Sequence, residues 1–218
     1  MSNINKQTNK QTPVANLSKI VNQSLTLVGT YYNFKNNLKA ILMLNNKGGD
    51  SLEVTPTFYS LNGTSVQLSP IVLDAASYQE LDLQTLLANA GNEFKEGNLQ
   101  VSYQGKQMQL GAQVKIIDAN KKQIWEEQFY EATAKAVSSQ LEGIWWLPSN
   151  NCETKFIVTN TTDSPVTATI KVDGTNPTQN TPKIIQLNPH ETKVLEVIKD
   201  LVGNTGGSLR ETGGISLS

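Results

Sequence analysis

The sequence predicts an all-β protein made of two tandem antiparallel β-sandwich domains, the second lacking its last strands. Three observations predict it. First, LKAILMLNN (Leu38–Asn46) has a counterpart 114 residues further on, CETKFIVTN (Cys152–Asn160); each follows an Asn-Asn pair and each closes on an Asn. Second, the same offset carries Ser24, Leu27 and Gly29 onto Ser138, Leu141 and Gly143, Tyr31-Tyr32 onto Trp145-Trp146, and Leu73, Leu81 and Leu87 onto Leu187, Leu195 and Leu201. Near the end it becomes 116, where Gly97 and Ser102 meet Gly213 and Ser218. An offset held this long marks an internal duplication. Third, short apolar runs recur about every 8–12 residues between turn signals, the grammar of an antiparallel sandwich or barrel.

The elements follow in order. Residues 1–23 are polar and Asn/Gln/Thr/Lys-rich, a disordered lead-in with no apolar core of a secretory signal. Repeat 1 spans 24–130. Leu25–Tyr32 leads into the strong strand Leu38–Leu44, and Leu52–Tyr59 carries Pro56, which removes a ladder donor and predicts an edge strand or a bulge. Asn62-Gly63 is a hairpin turn, with Asp173-Gly174 as a counterpart three residues out of step. Val66–Leu73 and Ser77–Leu83 read as strands, and Leu83–Ala90 before Gly91 reads as a short helix with a Gly stop. Leu99–Tyr103, Met108–Asp118 and Gln123–Phe129 complete the repeat, and the small polar stretch 131–139 is a linker. Repeat 2, residues 140–218, runs through Ile144–Leu147, Thr154–Asn160, Val166–Val172, Lys183–Leu187, Thr192–Val197, a short helix at Lys199–Val202, and Ile215–Leu217. Ser218 aligns with Ser102, so repeat 2 has no equivalent of Tyr103–Phe129. This predicts an open sheet edge, completed by further chain or by strand addition from a partner.

Composition excludes several classes. A chain of 218 residues, 38% hydrophobic and 6% aromatic, has enough apolar content for small sandwich cores. Lys+Arg 18 against Asp+Glu 19 leaves a net charge of −1, with no electrostatic footprint for nucleic acid or an anionic membrane. No run approaches the roughly 18 apolar residues of a membrane-spanning helix. The single Cys152 excludes an intrachain disulfide and leaves the compartment open: extracellular or cell-surface for a fragment of an exported protein, cytoplasmic for genuine ends.

No catalytic constellation is legible. His190 is the only histidine and sits in the turn Asn188–Thr192, where it reads as a surface residue; its counterpart is Ala76. One His and one Cys cannot build a structural zinc site, no G-x-S-x-G elbow is present, and Glu126-Glu127 face opposite sides of a strand. Gly203–Gly207 and Gly213-Gly214 lack the G-K-[ST] of a phosphate loop. Neither cofactor nor metal is expected. The aromatic pairs Trp145-Trp146 and Tyr31-Tyr32 are the candidate ligand contacts, because exposed rings stack on sugars. The competing reading is packing: neighbours on a strand alternate, so one ring of each pair enters the core.

The residues Leu42–Asn46, Tyr103–Lys106 with Leu110–Val114, Leu141–Trp146, Asn160–Asp163 and Asn188–Thr192 together resemble tandem immunoglobulin-like sandwich repeats of bacterial proteins, across residues 24–218. The resemblance implies two Ig-like units in a surface or secreted protein, and it carries no activity or catalytic residue. The expected function is a non-enzymatic structural or interaction module with a protein or glycan partner. The alternative is a carbohydrate-binding module using exposed aromatics.

Overall fold

The computed structural model describes residues 23–132, 141–147, 154–173, 182–202 and 211–218; the lead-in, most of the linker, Cys152, the Asn150-Asn151 pair and the Gly203–Gly207 cluster lie outside them. The protein is all-β, with antiparallel sheets packed as sandwiches.

The N-terminal half contains β1 (Gln23–Asn33), β2 (Lys39–Asn46), β3 (Leu52–Ser60), β4 (Ser65–Gln67), β5 (Ile71–Leu73), β6 (Tyr78–Asp82), a single helical turn α1 (Leu83–Leu86), β7 (Glu96–Gly105), β8 (Leu110–Ile117), β9 (Gln123–Gln128) and β10 (Tyr130–Glu131). One sheet has the order β10-β1-β7-β3-β4 with β5 also on β3, and the facing sheet is β6-β2-β8-β9. Period-two alternation drives the packing. Ala40, Leu42 and Leu44 of β2, Val54 and Phe58 of β3, Leu99 and Val101 of β7, and Val114 and Ile116 of β8 fill one buried core, and each of its Leu, Ile, Val and Phe side chains contributes about 1.5–3 kcal/mol on burial. Asp82 caps α1 by accepting from Gln84 N at 3.0 Å. The helix covers only Leu83–Leu86 of the expected Leu83–Ala90 and ends on Leu87, so Gly91 is not its stop but, at φ +102°, leads into a separate 3-10 turn at Asn92–Lys95.

Three local expectations change. Pro56 lies neither on an edge nor in a bulge: β3 pairs with β7 on one side, and on the other it passes from β5 at Leu52–Val54 to β4 at Thr57–Tyr59. Pro56 falls at this handover, where its missing N–H costs no ladder bond. The run Val66–Leu73 is accordingly two strands, split at Leu68–Pro70. Glu131, assigned to the linker, pairs with Leu27 in β10 and accepts from Tyr103 Oη (3.1 Å) and Met108 N (2.7 Å).

The C-terminal half contains β11 (Leu141–Leu147), β12 (Lys155–Thr159), β13 (Val166–Asp173), β14 (Lys183–Leu187), β15 (Thr192–Glu196), a π-helical turn (Val197–Val202) and β16 (Glu211–Leu217). The sheet β11-β16-β13-β14 faces the two-stranded sheet β12-β15 across a smaller core of Val158, Ala168, Ile170, Val172, Ile185, Leu187, Val197 and Ile215.

The registers of the halves correspond. Moving 114 residues along carries the β2–β6 pair Ile41↔Asp82 onto the β12–β15 pair Lys155↔Glu196, and Leu52↔Leu73 onto Val166↔Leu187. The β1–β7 pair Leu27↔Val101 becomes Leu141↔Leu217, with the 116 offset on its second strand.

The same correspondence holds for a buried side chain. Asn46 Nδ2 donates to Asp50 O (2.8 Å), Leu73 O (3.4 Å) and Asp74 O (2.8 Å), while its Oδ1 accepts from Gly48 N (2.9 Å). Asn160 Nδ2 donates to Ser164 O (2.8 Å), Leu187 O (3.4 Å) and Asn188 O (2.9 Å), and its Oδ1 accepts from Thr162 N (3.0 Å). The partners of the two cages also differ by 114. Each Asn ties the end of its strand to two loops at once. A buried amide is tolerated here because donor and acceptor are both satisfied.

Candidate functional site

The predicted ligand aromatics of the N-terminal half are core residues. Tyr31 is 7% exposed and Tyr32 0%. Strict alternation would have sent one of them outward, but the register of β1 on β7 slips between Gly29 and Tyr32, and both rings are covered. Tyr32 stacks on Phe34 and meets Phe58 edge-on. Tyr31 packs edge-on against Trp125 at 6.1 Å, and its hydroxyl donates to Glu96 Oε1 at 2.7 Å. Burial, reinforced by Glu96, raises both phenols above their ordinary range. Neither ring face is free to stack on a sugar. Trp145 and Trp146 belong to β11, opposite Gly213 and Thr212; their side chains lie outside the described residues.

The irregularity in β1 leaves backbone donors that the ladder does not use, and Glu127 takes them. Its Oε1 accepts from Thr30 N (2.9 Å) and Thr30 Oγ1 (2.7 Å), and its Oε2 from Tyr31 N (3.2 Å). Glu127 is therefore a structural clamp between β9 and β1, while Glu126 binds Gln113 and Gln123 on the exposed side.

The largest departure from the sequence reading concerns His190. Its side chain is 12% exposed, because the Asn188–Thr192 turn docks on the N-terminal half. The imidazole lies flat on Tyr59, centroids 4.1 Å apart and planes 15° from parallel. Nε2 sits 2.8 Å from Asp163 Oδ1 and Nδ1 sits 3.5 Å from Gln100 Nε2. A carboxylate only accepts, so Nε2–H donates to Asp163 and Nδ1 accepts from the amide. Both ring nitrogens are thereby engaged, one as donor and one as acceptor. Its φ of +57° matches the +49° of Ala76 at the counterpart position, so the turn geometry is shared and the ring is the addition.

Around this stack runs a polar seam. Asn98, fully buried, donates through Nδ2 to His190 O (2.7 Å) and Thr192 Oγ1 (3.0 Å). Thr192 Oγ1 lies 3.0 Å from Thr159 Oγ1, whose hydroxyl donates to Thr30 O at 2.8 Å. Because Thr159 spends its proton on Thr30, the hydroxyl of Thr192 donates to Thr159. The relay therefore runs from β7 through β15 and β12 to β1. Thr192 N also donates to Leu61 O (3.0 Å), and Gly63, at φ +86°, faces Pro189 O so closely that no Cβ would fit. Below the polar ring, the cross-strand pair Ile157 and Val194 packs against the N-terminal core. Asn98 Oδ1 is buried with no partner among the described residues.

Sequence reasoning missed this seam. One signal was present: Phe156-Ile157-Val158 is apolar on both faces of its strand, as in strands covered on both sides. Ala40–Leu44 in β2 reads the same way, so the pattern could not tell the docked strand from the undocked one.

A second concavity lies on the β6-β2-β8 sheet, a groove of about 430 Å³ lined in part by Met43, Asn45, Lys47, Tyr78, Met108 and Gln113. Tyr78 is 55% exposed at this groove. No group of three or more metal-binding side chains occurs among the described residues, and no helix among them is long and apolar enough to cross a membrane.

No family model matches the chain, and no curated protein matches it. It is similar to a solved structure described as "Crystal Structure of Thermotoga maritima 1070", with 14% identity and a TM-score of 0.36, covering 51% of this chain and 95% of that one.

Proposed function

We propose that the chain is a non-enzymatic structural and interaction module: two tandem immunoglobulin-like β-sandwich units of a larger bacterial surface or secreted protein, docked so that they behave as one body. The seam carries this reading. It engages the buried Asn98 and Thr192 and the partly buried Thr159 and His190 in bonds to one another and to the opposite half, so these polar groups serve cohesion. The matching registers and the two asparagine cages support a duplicated unit. A spacer or adaptor needs this kind of fixed geometry, since relative motion is otherwise the default between tandem domains.

Calorimetry tests it. The wild-type protein should melt in one transition whose calorimetric and van't Hoff enthalpies agree, and Tyr59→Ala should split or broaden it. Two independent transitions in the wild type, unchanged in Tyr59→Ala, would defeat the reading. So would turnover in a hydrolase screen that is lost on replacing a carboxylate or serine.

The carbohydrate-binding reading retains one supporting observation, the exposed Tyr78 at a groove bearing amide and lysine side chains. A glycan panel that leaves tyrosine fluorescence unchanged in the wild type would remove it.

A further inference from the structure

In the N-terminal half β2 has two neighbours. It pairs with β6 on one side and with β8 on the other, from Lys39↔Ile117 to Asn46↔Leu110. Strand β8 turns Leu110, Ala112, Val114 and Ile116 into the core and closes that flank. Strand β12 is the counterpart of β2 and has β15 where β2 has β6. Among the described residues no strand stands where β8 stands.

The consequence shows in the packing. Leu42 and Val101 are fully buried, whereas Phe156 and Leu217, which take their places in the C-terminal half, are only partly buried against its core. Alternate backbone groups of Phe156–Thr159 are directed away from β15, as in any antiparallel ladder, and form an edge beside this half-covered apolar flank.

We propose that the flank of β12 opposite β15 is a strand-acceptor site, taking an extended segment of a separate polypeptide antiparallel to β12. This deepens the reading of the chain as an interaction module and rests on it. The N-terminal half supplies the template. Residues opposite one another share a face of the sheet, so the incoming strand carries apolar side chains opposite Asn160, Val158 and Phe156, as Leu110, Ala112 and Val114 stand opposite Asn46, Leu44 and Leu42. The residues between them are polar or small and face outward, as Gly111 and Gln113 do. Main-chain bonds supply affinity and the alternating apolar positions supply selectivity.

The probe is a labelled synthetic peptide with the sequence Met108–Asp118, added to the full chain. It should bind saturably, raise the melting temperature and slow amide exchange at Phe156–Asn160. A peptide with lysine in place of Ala112 and Val114 should bind at least roughly ten-fold more weakly, a loss of about 1.4 kcal/mol or more. The comparison alters only the peptide, so folding of the protein does not confound it. Absence of saturable binding, equal binding of the lysine peptide, or protection confined to other strands would overturn the proposal. A dimer that the peptide dissociates would overturn it too, by assigning the strand to a second copy. The calorimetric coupling of the halves is independent of every one of these outcomes, so failure here leaves the docked-module reading standing.

Discussion

Replacing Asn46 by alanine removes, besides a long bond to Leu73 O at 3.4 Å, three short hydrogen bonds of 2.8, 2.8 and 2.9 Å at a fully buried position: two donated to the carbonyls of Asp50 and Asp74, and one accepted from Gly48 N. At about 1 kcal/mol net each, the loss is about 3 kcal/mol, or a fall in melting temperature of about 6–12 °C for a chain of this size. Equilibrium urea denaturation reads it directly, as a lower midpoint at unchanged slope. Asn45→Ala, one residue away and exposed, is the control and should stay within about 0.5 kcal/mol. Asn160→Ala should cost as much as Asn46→Ala, because its cage is the same. Asn46→Asp adds a sign test. A carboxylate facing three carbonyl oxygens is destabilised when ionised, so its folded pKa lies above the unfolded value. Stability is then retained below the ordinary Asp pKa of about 3.9 and lost as pH rises through the folded pKa. The variant should melt closest to wild type in acid and fall behind toward neutrality. A loss below about 1 kcal/mol in either alanine variant would refute the claim that these cages organise the loops.

Three further outcomes are expected. Gly63→Val, at a left-handed φ and against Pro189 O, should uncouple the halves, seen as a split calorimetric transition with the N-terminal half still folded. Gly29→Ala places a methyl in the ring of Phe129 and should destabilise by about 1–3 kcal/mol in the same urea assay. Tyr103 is pushed up to about 12 by burial and then by Glu131, and Tyr31, Tyr32 and Tyr59 are also raised. Groups with raised folded pKa values stabilise fully below the unfolded value of 10.0, and that stability is lost as pH climbs through the folded ones. Phenolate absorbance should therefore lag a free-tyrosine titration and rise together with alkaline unfolding.

Several features were legible in the sequence because their causes are local. Alternation of apolar residues placed β2, β8, β13, β14 and β15 to within a residue or two. Asn62-Gly63 placed a turn, since only a residue free of Cβ adopts its φ cheaply, and the Asn ending each copy of the repeated strand marked the repeat, although its buried hydrogen bonds were not legible. Other features depended on what the chain meets after folding. Pro56 is harmless because two short strands change over beside it, and Tyr31 and Tyr32 are both buried because of an irregularity that strand periodicity does not encode. His190 read as a surface turn residue because nothing within several positions of it covers the ring. Its cover is Tyr59, which is supplied by the other half, and Asn98, Thr159 and Thr192 find their partners in the same way. The sequence by itself determined the strands and their repeat, since these rest on residues close together or on a periodic pattern; the two asparagine cages close on carbonyls 27 and 28 residues away. Only the tertiary structure decided which faces are inside, because a residue's burial is set by the surface that docks on it.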